Sequence, residues 1–89
     1  MEIDPFQGLL EKLQHEEWPM VYMFKFIVPN DSQVIGQVTA LFNDQNEMVF
    51  HESNKGAYLS ITVKEMMMSA EDVVDIYRKT ATIKGVITL

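Results

Sequence analysis

The side chains of this 89-residue sequence that could do chemistry are few and scattered. Its two histidines, His15 and His51, fall on different predicted elements. Neither has a carboxylate beside it at metal-ligand spacing, so each reads as a solvated or structural residue. Cysteine is absent, which excludes disulfides, thiolate metal sites, iron–sulfur clusters and a cysteine nucleophile. There is no G-x-S-x-G, P-loop, G-x-G-x-x-G or H-E-x-x-H, and Gly8, Gly36, Gly56 and Gly85 stand alone. The only arginine, Arg78, lies late in a predicted helix, where it complements the helix dipole. No cofactor and no enzymatic activity are expected. What remains is a set of polar side chains, Lys25, Tyr58, Ser60, Thr62, Lys64 and Lys84, suited to binding, which strand alternation places on one face.

Charge narrows the partners. Seven Lys/Arg against thirteen Asp/Glu give −6. Residues 1–17 alone hold Glu2, Asp4, Glu11, Glu16 and Glu17 against Lys12. An acidic chain is repelled by nucleic-acid phosphates and anionic lipid, so neither is an expected partner. No apolar run approaches the roughly 18–20 residues of a membrane span. The acidic start, Met1-Glu2-Ile3-Asp4-Pro5, offers no readable signal peptide, and a cytoplasmic protein is expected.

The elements that must position these residues follow from pattern. Residues 4–16 predict a helix: Asp4 is a good cap, Pro5 suits the first turn, Gln7 completes a capping box, and Phe6, Leu9, Leu10 and Leu13 share one face. This stripe must dock on its own domain or on a partner, and both remain open. Residues 20–28 predict a central strand with Tyr22, Phe24, Phe26 and Val28 inward and Val21, Met23, Lys25 and Ile27 outward. Asn30-Asp31-Ser32 caps a second helix with the stripe Val34, Ile35, Val38, Leu41 and Phe42. Gly36 within it either costs stability or permits a close backbone approach. Asn43-Asp44-Gln45-Asn46 is a loop. Strands over 47–53 and 56–66 are joined by a turn at Ser53-Asn54-Lys55-Gly56, in which Lys55 and Gly56 are structural. A two-residue turn puts Phe50 inward, into the core; a three-residue turn puts His51 there. Met66-Met67-Met68 reads as gap filler, exposed loop or adaptable contact surface. Ser69 caps a third helix over 70–80, and residues 83–89 predict a last strand.

The order after the first helix is βαββαβ. It predicts an α+β, ferredoxin-like domain over 18–89: a four-stranded antiparallel sheet, order 4-1-3-2, with two helices on one face. Residues 1–17 form an amphipathic helical extension. Acylphosphatases of this fold need an arginine in the loop after the first strand, and Val28-Pro29-Asn30-Asp31 has none. The open sheet face, expected to carry Met23, Lys25, Tyr58, Ser60, Thr62, Lys64 and Lys84, is solvated, pairs with another copy, or binds a ligand or RNA. A single tyrosine on an acidic protein gives the RNA alternative little support.

Three segments together resemble the YbeD-like family of small bacterial proteins of unknown function. Trp18-Pro-Met-Val-Tyr-Met-Phe-Lys-Phe26 is similar to the family's approach to its first strand. Ser53-Asn-Lys-Gly-Ala-Tyr-Leu-Ser60 looks like its hairpin, and Glu71-Asp-Val-Val-Asp-Ile-Tyr77 resembles its second helix. The resemblance covers about residues 9–89. The chain departs from the pattern at Trp18, Val28 and Glu65. The resemblance implies a fold close to ACT-type regulatory domains, which bind amino acids or similar molecules, typically between paired copies. It maps recurring residues to Lys25, Lys55, Gly56, Tyr58 and Ser60. The expected function is a non-catalytic regulatory or interaction module that takes a small metabolite, a protein partner or a second copy. RNA binding through the sheet face, or a minor enzyme acting on an acidic metabolite, is the alternative.

Overall fold

A computed structural model describes residues 4–43 and 46–89. The elements are α1 (Gln7–Leu13), β1 (Met20–Pro29), α2 (Ser32–Thr39), β2 (Glu47–Glu52), β3 (Tyr58–Met67), α3 (Ala70–Ala81) and β4 (Ile87–Thr88). They form an α+β structure, with one antiparallel sheet ordered β2-β3-β1-β4. Read from the other edge this is 4-1-3-2, so β1 and β3 are central. The arrangement is compatible with the ferredoxin-like pattern. Among the described residues no helix is long and apolar enough to cross a membrane.

β1 and β3 pair over ten residues each, with Phe24 opposite Val63 and Phe26 opposite Ile61. Because strand side chains alternate, this register aligns every inward apolar residue of both strands on one face. Phe24, Phe26, Val28, Leu59, Ile61, Val63 and Met67 are buried there against Val38 and Phe42 and against Val73, Val74, Ile76 and Tyr77 of α3. Aromatic rings dominate the packing: Phe24 lies 5.2 Å from Phe42 and 5.5 Å from Tyr77, centroid to centroid. Ser69 caps α3 by accepting the Asp72 N–H at 3.2 Å. Asp31 caps α2 through the Gln33 N–H at 2.8 Å.

The first helix is shorter than its sequence suggests. The Asp4 carboxylate accepts the Phe6 N–H at 2.9 Å and pairs with Arg78. Engaged in that turn and tether, it does not cap the helix, and Gln7 bonds Glu11 instead of closing a capping box. The stripe nevertheless docks on α3 of its own chain, with Phe6 stacked on Tyr77 at 6.4 Å and Leu13 buried. The Trp18 indole N–H donates to Leu13 C=O at 2.9 Å and closes the segment onto β1.

Three further expectations change. The hairpin loop holds four residues, Asn54–Ala57: Ser53 bonds Tyr58 C=O at 2.9 Å, and His51 stands opposite Ser60. This loop preserves the side-chain parity of a two-residue turn. Phe50 therefore points to the helix side, opposite Ile61, and His51 to the open face. Phe50 is not core, however: on an edge strand beyond the cover of α2, it stays 49% exposed. The last strand shrinks from 83–89 to Ile87–Thr88, because the chain turns at Ile83–Val86 and Gly85 adopts φ +90°. A Cβ at Gly85 would lie 2.9 Å from Pro29 Cγ, so only glycine lets the chain pass there. Leu41 and Phe42 lie past the end of α2, though Phe42 is still buried. Asp44 and Gln45 of the expected loop, and Met1-Glu2-Ile3, lie outside the described residues.

Gly36 has nothing near an added Cβ and is exposed in the middle of α2, so it serves no close approach. Gly36→Ala should therefore raise stability by about 0.5–1 kcal/mol in urea unfolding. Tyr77 is buried, and its hydroxyl lies 3.0 Å from that of Tyr22. Burial, then the Tyr22 hydrogen bond, pushes its pKa far above the ordinary value. A raised folded-state pKa gives stability that is complete below the unfolded value, about 10 for tyrosine, and lost as pH rises above it. Unfolding midpoints measured above that pH should fall more steeply for the wild type than for Tyr77→Phe.

Candidate functional site

The face of the sheet opposite the helices is assembled by register. Across it run the rows Met23–Lys64–Glu47, Lys25–Thr62–Val49 and Ile27–Ser60–His51, with Val21 beside Met66 at one end and Pro29 beside Tyr58 at the other. Ile87 joins from β4 opposite Ile27, and Leu89 donates its N–H to Lys25 C=O at 2.9 Å. Five of the expected residues, Lys25, Tyr58, Ser60, Thr62 and Lys64, share this face. Lys84 does not. It precedes the shortened β4, in a cleft lined by Val34 and Leu41 from the α2 side and by Lys79 and Ile83.

The sequence reading understated the face's apolar character. Val21, Met23, Val49, Tyr58, Met66, Ile87 and Leu89 each leave 52–66% of their surface exposed. Scattered exposed apolar residues are ordinary; here they lie on one sheet face and come from all four strands. Val49 was missed because the β2 register was undecided, and Ile87 and Leu89 because the last strand was drawn too long. The methionine run divides by parity: Met66 lies on the open face, Met67 is buried and Met68 is exposed beyond the strand.

Lys25 is the central charge of this surface. Its row lies midway along β1, flanked by Thr62 and Leu89. Glu47 stands opposite Lys64 across the β2–β3 pair, but the ion pair of Arg78 with Asp4 is the only one among the described residues. A cavity of about 200 Å³ opens near the hairpin, lined by Ile27, His51, Ser53, Tyr58 and Ser60. Its two serine hydroxyls serve the backbone. Ser60 Oγ donates to His51 C=O at 3.3 Å, and Ser53 Oγ accepts the Tyr58 N–H at 3.1 Å. The Ser60 proton is thus directed at a carbonyl and not at the His51 imidazole, an arrangement unlike that of an activated nucleophile.

The turn residues belong to the scaffold. Asn30 Nδ2 donates to Glu52 Oε1 and to Gly56 C=O, both at 2.9 Å, and its N–H donates to Ala57 C=O at 3.0 Å. This clamp fixes the hairpin beside Tyr58. Gly56 takes φ +71°, and Lys55 is exposed at the tip. Glu65, unusual as a buried carboxylate, accepts the Asn43 N–H at 2.9 Å and ties the end of the α2 segment to β3. Among the described residues no group of three His, Cys, Asp or Glu side chains could hold a metal ion.

A family profile described as "Protein of unknown function (DUF493)" matches residues 14–89. No curated protein and no solved structure matches the chain.

A face that binds, and does not fold, should tolerate substitution. Lys25→Ala combined with Tyr58→Ala should change unfolding free energy by no more than about 0.5 kcal/mol per site, whereas Phe24→Ala on the other face of β1 should cost about 3–5 kcal/mol. Loss of folding in the double variant would make those side chains structural.

Proposed function

The chain belongs to the DUF493 family of proteins of unknown function, and we propose that it is a non-catalytic interaction module whose open sheet face docks a partner protein. The observation that carries this reading is the exposed apolar set on one sheet face, Val21, Met23, Val49, Tyr58, Met66, Ile87 and Leu89, around a lysine that has no acidic partner among the described residues. The occupant that fits is an apolar protein surface bearing a carboxylate opposite Lys25. A second copy laid face to face fits poorly, since it would bring two Lys25 ammonium groups into the same dry centre. On this face a small metabolite is the weaker occupant: its cavity of about 200 Å³ falls below the roughly 300–1,000 Å³ of ligand pockets. The resemblance to YbeD-like and ACT-type domains supports a regulatory role for such docking. RNA recognition loses Lys84 from its basic set and keeps Tyr58 as its one aromatic on this face.

The test uses isotope-labelled protein. Pooled amino acids and related small metabolites are titrated first. Then comes a purified protein that the wild type captures from cell extract and Val49→Asp does not. Amide shifts confined to β1, β2 and β3 on adding that protein, with at least tenfold weaker binding by Lys25→Glu, are the expected result. Shifts on α2 and α3 would overturn it, as would saturable shifts of the face with a metabolite alone.

A further inference from the structure

β1 is ten residues long, but its outer edge is paired at one end only. β4 covers Phe26 and Ile27, and the bond from Leu89 N–H to Lys25 C=O is the last on that side. That bond also orients the backbone. Lys25 presents its N–H and C=O to the β4 side, so in a strand whose register to β3 is unbroken from Met20 to Pro29, Val21 and Met23 present theirs to the same side. No hydrogen bond of the described residues reaches these four groups. Both side chains are exposed, and α1 packs on α3 in the helix layer instead of lying beside β1 as a strand.

Natural sheets guard free edges with charge, proline or bulges. The opposite edge follows this rule: β2 carries Glu47, His51 and Glu52, all exposed. The free stretch of β1, Met20-Val21-Tyr22-Met23-Phe24, has no charge, proline, glycine or bulge. An unguarded, apolar edge stretch across the sheet from a guarded edge is a place for strand addition.

We propose that this edge pairs antiparallel with the same edge of a second copy, about a two-fold axis at Tyr22. The occupant is argued from the edge itself, which is its own complement. With Tyr22 on the axis, Val21 falls opposite the partner's Met23, and the reverse. All four free groups of each copy then pair in two narrow hydrogen-bonded rings, while Tyr22 meets the partner's Tyr22 in a non-hydrogen-bonded pair. The apolar side chains of Val21 and Met23 meet across the junction, and the stretch brings no like charges together. The two sheets become one of eight strands. The pairing uses the backbone of the edge and, of the open face, only the margin at Val21 and Met23; Lys25, Val49 and Tyr58 stay exposed, so it stands whether or not the rest of that face docks another protein.

Sedimentation over a concentration series up to about 1 mM, the weak end of specific association, tests the pairing. The wild type should show a monomer–dimer equilibrium, weakened at least tenfold by Met23→Lys and unchanged by Val49→Lys on the opposite edge strand, β2. The chain has no cysteine, so Tyr22→Cys supplies an independent probe. Across a non-hydrogen-bonded pair the Cα atoms lie about 4.5 Å apart, within disulfide range, and mild oxidation should give a covalent dimer that Val49→Cys does not. If Met23→Lys fails to fold, the cross-link decides. A wild type that stays monomeric, with no Tyr22→Cys cross-link, overturns the proposal. So does a dimer broken by Val49→Lys but not by Met23→Lys, which would mean face-to-face pairing. A monomer that instead adds a foreign peptide strand at β1 overturns the choice of a second copy.

Discussion

The pairing of β1 with β3 is the constraint on which the rest of this structure depends. Two central strands in continuous antiparallel register place Phe24, Phe26 and Val28 level with Val63, Ile61 and Leu59. A shift of one residue would turn all of them to the other side. With the register set, α2, α3 and the Phe42 turn have one surface to cover, and burial of apolar area against it drives their docking. α1 adds to the layer through Phe6, Leu13 and the Trp18 indole, on ground already prepared by Tyr77.

The same alternation has a second consequence. β1 is apolar on both faces, with Val21, Met23 and Ile27 behind Tyr22, Phe24 and Phe26. Strands with both faces apolar are usual where both faces are covered. Here helices cover one face only, and the other retains exposed Val21, Met23, Val49, Met66 and Leu89 around Lys25. Among the described residues no helix covers that surface, and the neighbouring stretch Met20–Phe24 of the β1 edge lacks the charges that guard β2. Burial elsewhere stabilises the domain; this side keeps its apolar residues exposed. Its polar groups are engaged locally: Ser60 and Ser53 spend their hydrogen bonds on the backbone, and the buried polar groups Glu65 and Thr80 are satisfied within the scaffold.

Much of this was legible along the chain because its signals are local. The cap at Ser69, the clean alternation from Leu59 to Val63 and the turn chemistry around Gly56 act over a few residues. They appear in the fold as the sequence suggests. Failures came where a distant group competed. Asp4 is a good cap by type, but Arg78 and the Phe6 N–H take its carboxylate. Residues 83–86 have strand composition, yet Gly85 must clear Pro29 and the chain turns. Phe50 has the parity of a core residue, but an edge strand beyond α2 leaves it half exposed. Lys84 left the candidate face for the same reason that β4 shortened. Val49 entered it only once a four-residue loop had fixed the β2 register.

The sequence by itself determined the element order, the inward face of β1 and β3, and the lack of cysteine chemistry and of catalytic motifs. Periodicity, capping and composition are properties of neighbours in the chain. Only the tertiary structure decided how far β4 reaches, which lysines share a surface, and that the open face is chiefly apolar with a bare edge beside it. Those outcomes depend on register between strands and on which side chains the helices happen to cover. Both are set by packing between residues far apart in sequence, and no local pattern records them.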